Sequence, residues 1–581
     1  MTGGPPSGHG SAAPPGAADD APATLGDHNV AALHEAIAAA VPDRDCIVAT
    51  GVRRTWAEVT DRTRRLAAVL AAEGIGLRAD ADPATAEPWA SPHHHVALYL
   101  HNGHEYLEGM IGAWKARAAP VNVNYRYVAG ELAHVLGDSA AAAVVFHRAF
   151  APTLAEVVPA LPALRLLLQV DDGSGAPLLP GARWYEDALA AATPRAPEGL
   201  SADDRYILYT GGTTGLPKGT LWRQGDFLAT ALGVRGTEQQ IVATARTRAG
   251  LRALPSAPFM HGAAHWNAIS AWTSGGAVVV QDDPTRLDPA DVLRTCERER
   301  VTSLQIVGDP FARPLLDELA DHDYDLSHLR FLLSGGAVLS PTVKQRLVER
   351  LPGLRIVDVL GSSETGRQAV AGRGSAFRPE PTTVVLSADL SRRLAPGDGE
   401  VGWLAQAGRV PLGYLGDPEK TAATFPLVDG VRYAVAGDRV RLRADGSFDL
   451  LGRDAATINT GGEKVFAEEV EQVLTSHPAV VDALVAGRPS LRWGSEIVAV
   501  LAARPGTDVP TDDELRTHCR RALAGYKVPK AFRWVDEVVR SPAGKPDYGW
   551  ARAVAAGVAG AGAQGSAAGD SGDQPQNSSV A

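Results

Sequence analysis

Residues 209–220, with the sequence YTGGTTGLPKGT, constrain this chain more than any other stretch. The segment RYILYT that leads into it is rich in β-branched and aromatic residues, which predicts a buried strand. Glycines let the following backbone approach a ligand closely, and amide, hydroxyl and lysine donors suit phosphate oxygens. Pro217 before Lys218 excludes a Walker P-loop, which has glycine at that position. A flexible surface linker needs no such donors, so the stretch predicts a phosphate-binding loop.

Composition limits the classes of protein to consider. The 581 residues are too many for one hydrophobic core, which predicts two or more domains. A formal net charge of −11 argues against nucleic acid as the main partner. Cys46, Cys296 and Cys519 are far apart, so they indicate neither a disulfide framework nor a zinc site and fit a reducing cytoplasm. We find no signal peptide and no apolar run near the ~18–20 residues of a membrane span, which leaves peripheral membrane contact open.

Periodic patterns indicate an α/β fold. Val30, Leu33 and Ile37 lie on one predicted helix face, and Thr55 is a predicted N-cap of the next helix. Strands and helices then alternate, which predicts a parallel α/β architecture with ligands at the carboxyl ends of the strands. Glycine, proline, alanine and serine dominate both chain ends, which we predict to be disordered.

Two groups of histidines could suggest metal-binding sites. His93, His94 and His95 are consecutive, and adjacent residues of a strand point to opposite faces, so they do not converge on one ion. His261 and His265 have helical spacing but lack the glutamate of a zincin. We interpret neither group as a metal site.

YTGGTTGLPKGT resembles the signature of the adenylate-forming superfamily, which includes acyl-CoA synthetases, luciferases and stand-alone adenylation enzymes. Gly211 stands where the signature has serine. NGHEYLEGMIGAWKARAAPVNVNYRY looks like the bacterial fatty-acyl-CoA ligases, including those for long chains and steroid side chains. The resemblance covers roughly residues 30–555 and implies a large N-terminal domain of layered, mostly parallel sheets with flanking helices. It also implies a small, mobile α+β C-terminal domain. The expected order is a disordered tail (1–26), the N-terminal domain (27–452), the C-terminal domain (453–556) and a second disordered tail (557–581).

Further segments resemble other motifs of the superfamily. IVDVLGSSETG is similar to its Asp-x-Tyr-Gly-x-Thr-Glu pattern, with Ser363 for threonine, Leu360 for the aromatic residue that stacks on adenine, and Glu364 as the implied Mg²⁺ ligand. A hydrolase nucleophile elbow would need glycine in place of Thr365. The resemblance implies that ATP and AMP bind to Thr210, Gly211, Gly212, Thr213, Thr214, Gly215, Lys218, Gly335, Gly336, Ala337, Asp358, Leu360, Gly361, Ser362, Ser363, Asp438, Arg453 and Lys545.

The remaining implied roles concern chemistry, the acyl group and domain motion. Lys545, in SPAGKPDY, matches the catalytic lysine of the superfamily, and Glu364 and Thr214 complete the implied catalytic set. Small residues after His261 suggest room for a bulky acyl group. The implied acyl pocket contains Met260, His261, Gly262, Ala263, Ala264 and Trp266; the CoA-binding loop contains Gly461, Gly462 and Glu463; the hinge contains Asp454 and Ala455.

Together these motifs imply an ATP-dependent acyl-CoA synthetase that uses Mg²⁺ and CoA and releases AMP and pyrophosphate. The implied acid is a medium- or long-chain fatty acid or a steroid side-chain acid. Two alternatives stay open: an acyl-AMP ligase that loads a carrier protein, and a non-catalytic homologue that keeps only the fold.

Overall fold

The computed structural model describes residues 26–79, 81–210, 217–371, 376–453, 456–460, 463–490, 494–523, 525–541 and 544–557. These residues form an α/β protein with a large N-terminal part and a smaller C-terminal part, as predicted.

One sheet carries the strand that precedes the phosphate loop, and we call it the phosphate-loop sheet. Its strands are β3 (His95–Tyr99), β4 (Ala119–Asn122), β5 (Ala141–His147), β6 (Leu166–Val170), β7 (Arg183–Trp184), β8 (Arg205–Thr210), β9 (Lys218–Arg223) and β19 (Gly413–Tyr414). They lie in the order β19-β9-β8-β4-β3-β5-β6-β7, and all pairs from β8 to β7 are parallel. β9 is antiparallel to both of its neighbours.

A second sheet is also mainly parallel. Its strands are β1 (Asp45–Ala49), β2 (Val52–Thr55), β10 (Arg252–Pro255), β11 (Ala277–Val279), β12 (Ser303–Ile306), β13 (Phe331–Gly335), β14 (Arg355–Ser362), β15 (Gly366–Ala371) and β16 (Arg378–Pro379). Their order is β16-β15-β14-β13-β12-β10-β11-β1-β2, with antiparallel pairs only at the two ends among the described strands.

The C-terminal third of the chain contains mainly antiparallel sheets. One contains β17 (Thr383–Leu386), β18 (Val401–Ala407), β20 (Leu427–Val428), β21 (Val431–Ala434), β22 (Asp438–Leu442) and β23 (Phe448–Arg453). The small C-terminal domain contains the hairpin of β24 (Thr457–Thr460) and β25 (Glu463–Phe466) and the sheet of β26 (Val480–Ser490), β27 (Gly494–Ala503) and β28 (Ala531–Val535). In that last sheet β26 and β27 are antiparallel, whereas β27 and β28 are parallel.

Helices flank these sheets, and some of them contribute residues to the core that the two parallel sheets share. The α-helices are α1 (Val30–Ala40), α2 (Trp56–Ala72), α3 (His104–Lys115), α4 (Ala129–Asp138), α5 (Ala151–Val157), α6 (Tyr185–Ala191), α7 (Gln224–Asp226), α8 (Glu238–Thr247), α9 (Gly262–Trp272), α10 (Pro289–Arg298), α11 (Gly308–Asp321), α12 (Pro341–Arg350), α13 (Pro418–Thr424), α14 (Ala467–Thr475), α15 (Asp512–Arg520) and α16 (Tyr548–Ala556). One continuous core joins both parallel sheets, with Leu98 and Tyr206 from the first, Leu254 and Leu304 from the second and Trp114 from α3.

Local sequence signals account well for the first elements. α1 buries Val30, Leu33 and Ile37, as its spacing predicts. Thr55 caps α2 and forms a capping box with Glu58, since each residue bonds the backbone N–H of the other. β8 is the predicted buried strand.

A buried carboxylate connects three helices beneath the phosphate-loop sheet. Glu108 of α3 is fully buried and accepts hydrogen bonds from Arg62 Nε (2.7 Å) and Nη2 (2.9 Å) and from the Tyr185 hydroxyl (2.9 Å). Burial alone would raise the pKa of Glu108, but hydrogen bonds from His104 and Arg62 lower it to about 2. The carboxylate therefore stays ionised and ties α2, α3 and α6 together.

Replacing Glu108 with alanine is expected to lower the free energy of unfolding by about 3 kcal/mol, because the Arg62 guanidinium then lacks its buried partner. Glu186 contacts the same guanidinium but its side chain is 60% exposed, so Glu186→Ala should cost less than about 1 kcal/mol. Urea unfolding at pH 7 compares the two variants. The contribution of Glu108 is complete above about pH 4.5 and falls as the pH drops toward 2, so the difference from wild type should shrink there. Equal effects of both variants at pH 7 would contradict this account.

Candidate active site

The end of β8 is tied to a neighbouring strand and to the predicted acyl pocket. Asn122, at the end of β4, donates to the carbonyls of Tyr209 (2.8 Å) and Met260 (2.7 Å), and its Oδ1 accepts from Tyr209 N (2.7 Å). One side chain thus fixes the strand before the phosphate loop against the segment that begins α9. Predicted ligands at Gly211, Gly212, Thr213, Thr214 and Gly215 lie outside the described residues, and they stay predictions.

Lys218 begins β9 and forms an ion pair with Asp417. The pair is possible because β19 hydrogen-bonds with β9, with Tyr414 opposite Thr220. Asp417 also caps α13, and its Oδ1 accepts from Lys420 N at 2.9 Å. The Lys218 hydrogen bond is the main reason that the pKa of Asp417 is lowered. The predicted phosphate-binding lysine is therefore held by a residue 199 positions away.

Glu364 lies in the turn between β14 and β15. The Tyr414 hydroxyl donates to Glu364 Oε1 at 2.9 Å, and Trp222 Nε1 donates to the Ser363 carbonyl at 2.9 Å. A Cβ added to Gly361 would lie 2.1 Å from the Gly366 carbonyl oxygen, so only glycine fits there. The turn is thus fixed from both sides by the phosphate-loop sheet and by its own close backbone packing.

The surroundings of Glu364 fit a hard divalent cation. Within the part of the chain that the structure describes, no lysine or arginine forms an ion pair with this carboxylate. The Tyr414 bond engages one oxygen and leaves further lone pairs available. Mg²⁺ commonly takes one or two protein carboxylates and completes its shell with water and phosphate oxygens.

The predicted adenine-side residues occupy adjacent strands of the second sheet. β13 and β14 are parallel with Gly335 opposite Val359, and Gly336 has φ +93°, a backbone region that favours glycine. Asp358 is buried and pairs with Lys344 of α12 at 2.7 Å; burial raises the pKa of Asp358 despite this partner. Its carboxylate thus bonds the covering helix, a contact that the sequence motif does not predict.

The two residues predicted for the ribose face each other. Asp438 begins β22 and is 5% exposed. In the antiparallel pairing of β22 and β23, Asp438 lies opposite Arg453. The backbone therefore brings together two residues that the sequence places 15 positions apart, while the Arg453 side chain lies outside the described residues.

His265 is a structural residue with every ring nitrogen engaged. Its Nδ1 donates to the Phe259 carbonyl at 2.6 Å, so Nε2 accepts from the Tyr206 hydroxyl. The same hydroxyl accepts from Trp266 Nε1 at 2.7 Å. Burial lowers the pKa of His265 to about 4, so the ring is neutral at pH 7. This network ties His265 and Trp266 of α9 to Tyr206 of β8.

His261 differs from His265 because its buried Nε2 has no hydrogen-bond partner among the described residues. Burial lowers the pKa of His261 to about 3, and the positive charge of Lys545 acts in the same direction. The neutral imidazole thus lies within electrostatic reach of the predicted catalytic lysine, although the two residues belong to different domains.

The turn that carries Lys545 packs against the large domain. Gly544 has φ +70°, and a Cβ added to it would lie 3.4 Å from Val307 Cγ1 and 3.5 Å from Pro310 Cβ. Gly308, which lies between Val307 and Pro310 in the sequence, approaches the backbone of Ala337 and Val338 closely. Lys545 is therefore brought next to the predicted adenine-side turn.

Gly262 does not face open space, whereas small residues after His261 are expected to leave room for a bulky acyl group. A Cβ added to Gly262 would lie 3.0 Å from Leu208 Cδ2 and 3.4 Å from Trp266 Cε2. Met260 is 2% exposed and belongs to the core of the phosphate-loop sheet. Leu208 and Trp266 thus leave little space beside Gly262, and a larger residue there would require one of them to shift.

Several predicted residues cannot be placed. Asp454, Ala455, Gly461 and Gly462 lie outside the described residues, and Glu463 begins β25 with no described side chain. The hinge and the CoA-binding loop therefore stay predictions.

Sequence reasoning missed three residues that support this site: Asn122, Tyr414 and Asp417. Tyr414 and Asp417 belong to GYLGDPEKT, a segment whose resemblance to the superfamily is visible in the sequence. No local pattern assigns them to partners, because those partners lie on other strands.

The consecutive histidines bond to separate parts of the backbone. His93 Nδ1 contacts the Arg117 carbonyl (2.7 Å), His94 Nδ1 contacts the Gly76 carbonyl (3.0 Å), and His95 Nδ1 contacts the Ser139 carbonyl.

Across the described ranges, we find no helix with the length and apolar character needed to cross a membrane.

Comparison with known proteins agrees with the geometry. The family model for "AMP-binding enzyme" matches residues 34–391, and the model for its C-terminal domain matches residues 469–545. A medium-chain acyl-CoA ligase of Mycobacterium avium is 48% identical, covering 90% of this chain and 97% of that protein. A 3-oxocholest-4-en-26-oate–CoA ligase of Rhodococcus rhodochrous is 40% identical, with 90% and 95% covered. The crystal structure of an anthranilate CoA ligase with anthranoyl-AMP has the same fold, with a TM-score of 0.78, 22% identity and 92% and 98% covered.

Proposed function

This chain belongs to the AMP-binding enzyme family and is an AMP-forming acyl-CoA ligase that uses ATP, Mg²⁺ and CoA, and we propose that its acid is a medium- or long-chain fatty acid or a steroid side-chain acid. We further propose the roles of the site residues described above. The observation that supports these roles is the packing of Gly544, the residue before Lys545, against Val307 and Pro310, close to the predicted adenine-side turn.

In the first half-reaction, the substrate carboxylate attacks the α-phosphorus of ATP and pyrophosphate leaves. Lys545 places its ammonium beside the α-phosphate, where negative charge grows in the transition state. Lys218 breaks its ion pair with Asp417 and binds the departing phosphates. Asp438 accepts hydrogen bonds from the ribose hydroxyls. Glu364 would hold Mg²⁺, which would supply further positive charge beside the phosphate oxygens.

The neutral state of His261 suits this half-reaction. An anionic acid must approach the α-phosphorus past this side chain, and a neutral imidazole can donate one hydrogen bond without forming a tight ion pair that would resist the attack. The unpartnered Nε2 supplies the polar atom for such a contact.

In the second half-reaction, the thiolate of CoA attacks the acyl carbonyl of the mixed anhydride and AMP leaves. Lys545 has no role once pyrophosphate has gone. Rotation about Asp454 and Ala455 would remove its turn and bring Gly461, Gly462 and Glu463 to the site, so that one small domain serves both steps.

An acid panel tests the proposed substrate. Pyrophosphate release is measured with fatty acids of increasing chain length, with a steroid acid whose carboxyl group is at carbon 26, and with an aromatic acid such as benzoate. We expect the highest kcat/KM with a medium or long aliphatic chain or the steroid acid. Preference for benzoate would overturn the proposed substrate class while leaving the ligase activity intact.

The acceptor requires a separate experiment, because a carrier-protein ligase would share the adenylation site. Acyl-CoA formation is followed by mass spectrometry with CoA in excess. Acyl-AMP that persists in the presence of CoA would favour the carrier-protein alternative.

Replacing Tyr414 with phenylalanine is expected to raise the Mg²⁺ concentration needed for half-maximal adenylation by about 10-fold, because Glu364 loses the hydrogen bond that orients it. The matched control is Tyr433→Phe, which alters a tyrosine in β21 away from Glu364. Magnesium titrations of pyrophosphate release compare the variants. An unchanged Mg²⁺ requirement in Tyr414→Phe would show that this hydroxyl does not orient a metal ligand.

A further inference from the structure

A second cation lies beside the predicted catalytic lysine, on the same turn. Arg540 forms a two-point ion pair with Asp482 of β26, from Nε to Oδ2 and from Nη2 to Oδ1, each 2.7 Å. Its remaining nitrogen, Nη1, donates to the Gly544 carbonyl at 3.2 Å. The guanidinium therefore connects a strand of the small domain's sheet to the peptide group directly before Lys545.

The backbone of the turn is closed by further bonds. Ser541 N donates to the Lys545 carbonyl (2.8 Å), Gly544 N donates to the Ser541 carbonyl (2.8 Å), and Lys545 N donates to Ser541 Oγ (3.1 Å). These bonds join residues 541, 544 and 545 to one another, while residues 542 and 543 lie outside the described part of the chain, and none of these bonds reaches β26. Among the described contacts of this turn, the Arg540–Asp482 pair is the side-chain link to β26.

The pair is well placed to hold that orientation. The Arg540 side chain is 18% exposed and the Asp482 side chain 26%, so solvent screens the pair only in part. Planar, bidentate arginine–carboxylate contacts fix direction as well as distance. Gly544, whose carbonyl accepts the Arg540 hydrogen bond, also packs close to Val307 and Pro310, so a tilt of this segment would displace Lys545 from the large domain.

We propose that Arg540, fixed by Asp482, is a positioning residue that aims Lys545 at the ATP α-phosphate during adenylation. The inference rests on the proposed role of Lys545. It adds a prediction that this role alone does not make: loss of a contact outside the substrate site should impair one half-reaction selectively.

The test measures the two half-reactions separately in the full-length protein. Adenylation is followed as pyrophosphate release in a single turnover without CoA, and thioester formation is followed from synthetic acyl-AMP and CoA. Arg540→Met should slow adenylation by about 10- to 100-fold, since small displacements of a catalytic group have effects of this size. Thioester formation should be unchanged, and Arg540→Lys should recover part of the adenylation rate.

Arg488→Met is the matched control. Arg488 lies on β26, the strand of Asp482, pairs with Glu496 (2.7 Å from Nε to Oε1) and has a side chain 26% exposed, but its described contacts do not include the Lys545 turn. It should lose similar stability and keep both rates. Equal slowing of adenylation in both arginine variants, slowing of both half-reactions in Arg540→Met, or no slowing at all would each overturn the inference.

Lys545→Ala, assayed in parallel, separates this inference from the proposed function. A selective loss of adenylation in Lys545→Ala without any loss in Arg540→Met overturns the positioning role alone. Unchanged adenylation in Lys545→Ala overturns the role of the lysine and the positioning inference with it.

Discussion

Replacing Lys545 with alanine is expected to slow adenylation by about 100- to 1,000-fold, the usual cost of removing one preorganised group that stabilises transition-state charge. The expectation follows from position: the Lys545 turn packs on Val307 and Pro310, and Lys545 lies within electrostatic reach of His261.

The same variant should convert synthetic acyl-AMP and CoA to acyl-CoA at the wild-type rate. This second assay is an internal control for folding and for CoA binding. Lys545→Arg keeps the charge but changes its reach and geometry, so an intermediate adenylation rate is expected. Equal loss of both half-reactions in Lys545→Ala would indicate a structural role for the lysine instead.

Replacing Glu364 with glutamine is expected to lower the adenylation rate by about 100-fold at a fixed Mg²⁺ concentration. The amide is nearly isosteric and can still accept from the Tyr414 hydroxyl, but it removes the anionic ligand for a hard cation. Loss of about 2.7 kcal/mol of transition-state stabilisation corresponds to this change in rate.

Magnesium titration distinguishes this explanation from a general loss of structure. Raising the Mg²⁺ concentration should restore part of the Glu364→Gln activity. Glu380→Gln is the control, since Glu380 lies nearby in sequence but pairs with Arg367 at 2.9 Å, and its activity should be close to wild type. A Glu364→Gln variant with normal activity at low Mg²⁺ would rule out this residue as the metal ligand.

Features that depend on neighbouring residues could be predicted from the sequence. The Thr55 capping box spans three residues, and the buried strand RYILYT has the composition of a strand. The order of the superfamily motifs also predicted the family and the α/β architecture. The first two signals depend only on neighbouring residues and the motifs recur in known proteins, so all of them can be recognised in a single sequence.

Contacts between distant segments could not be predicted in the same way. Lys218 meets Asp417 and Glu364 meets Tyr414 only because β19 joins the edge of the phosphate-loop sheet. Gly262 illustrates a different difficulty: a glycine can mark open space or tight packing, and only the positions of Leu208 and Trp266 show which one applies. Pairing and packing are properties of the assembled fold.

The most direct test of the central claim is a product analysis with the preferred acid, ATP, Mg²⁺ and CoA. We expect acyl-CoA, AMP and pyrophosphate in equal amounts, with acyl-AMP accumulating only when CoA is omitted. Formation of ADP and phosphate, or acyl-AMP that persists when CoA is present, would contradict it.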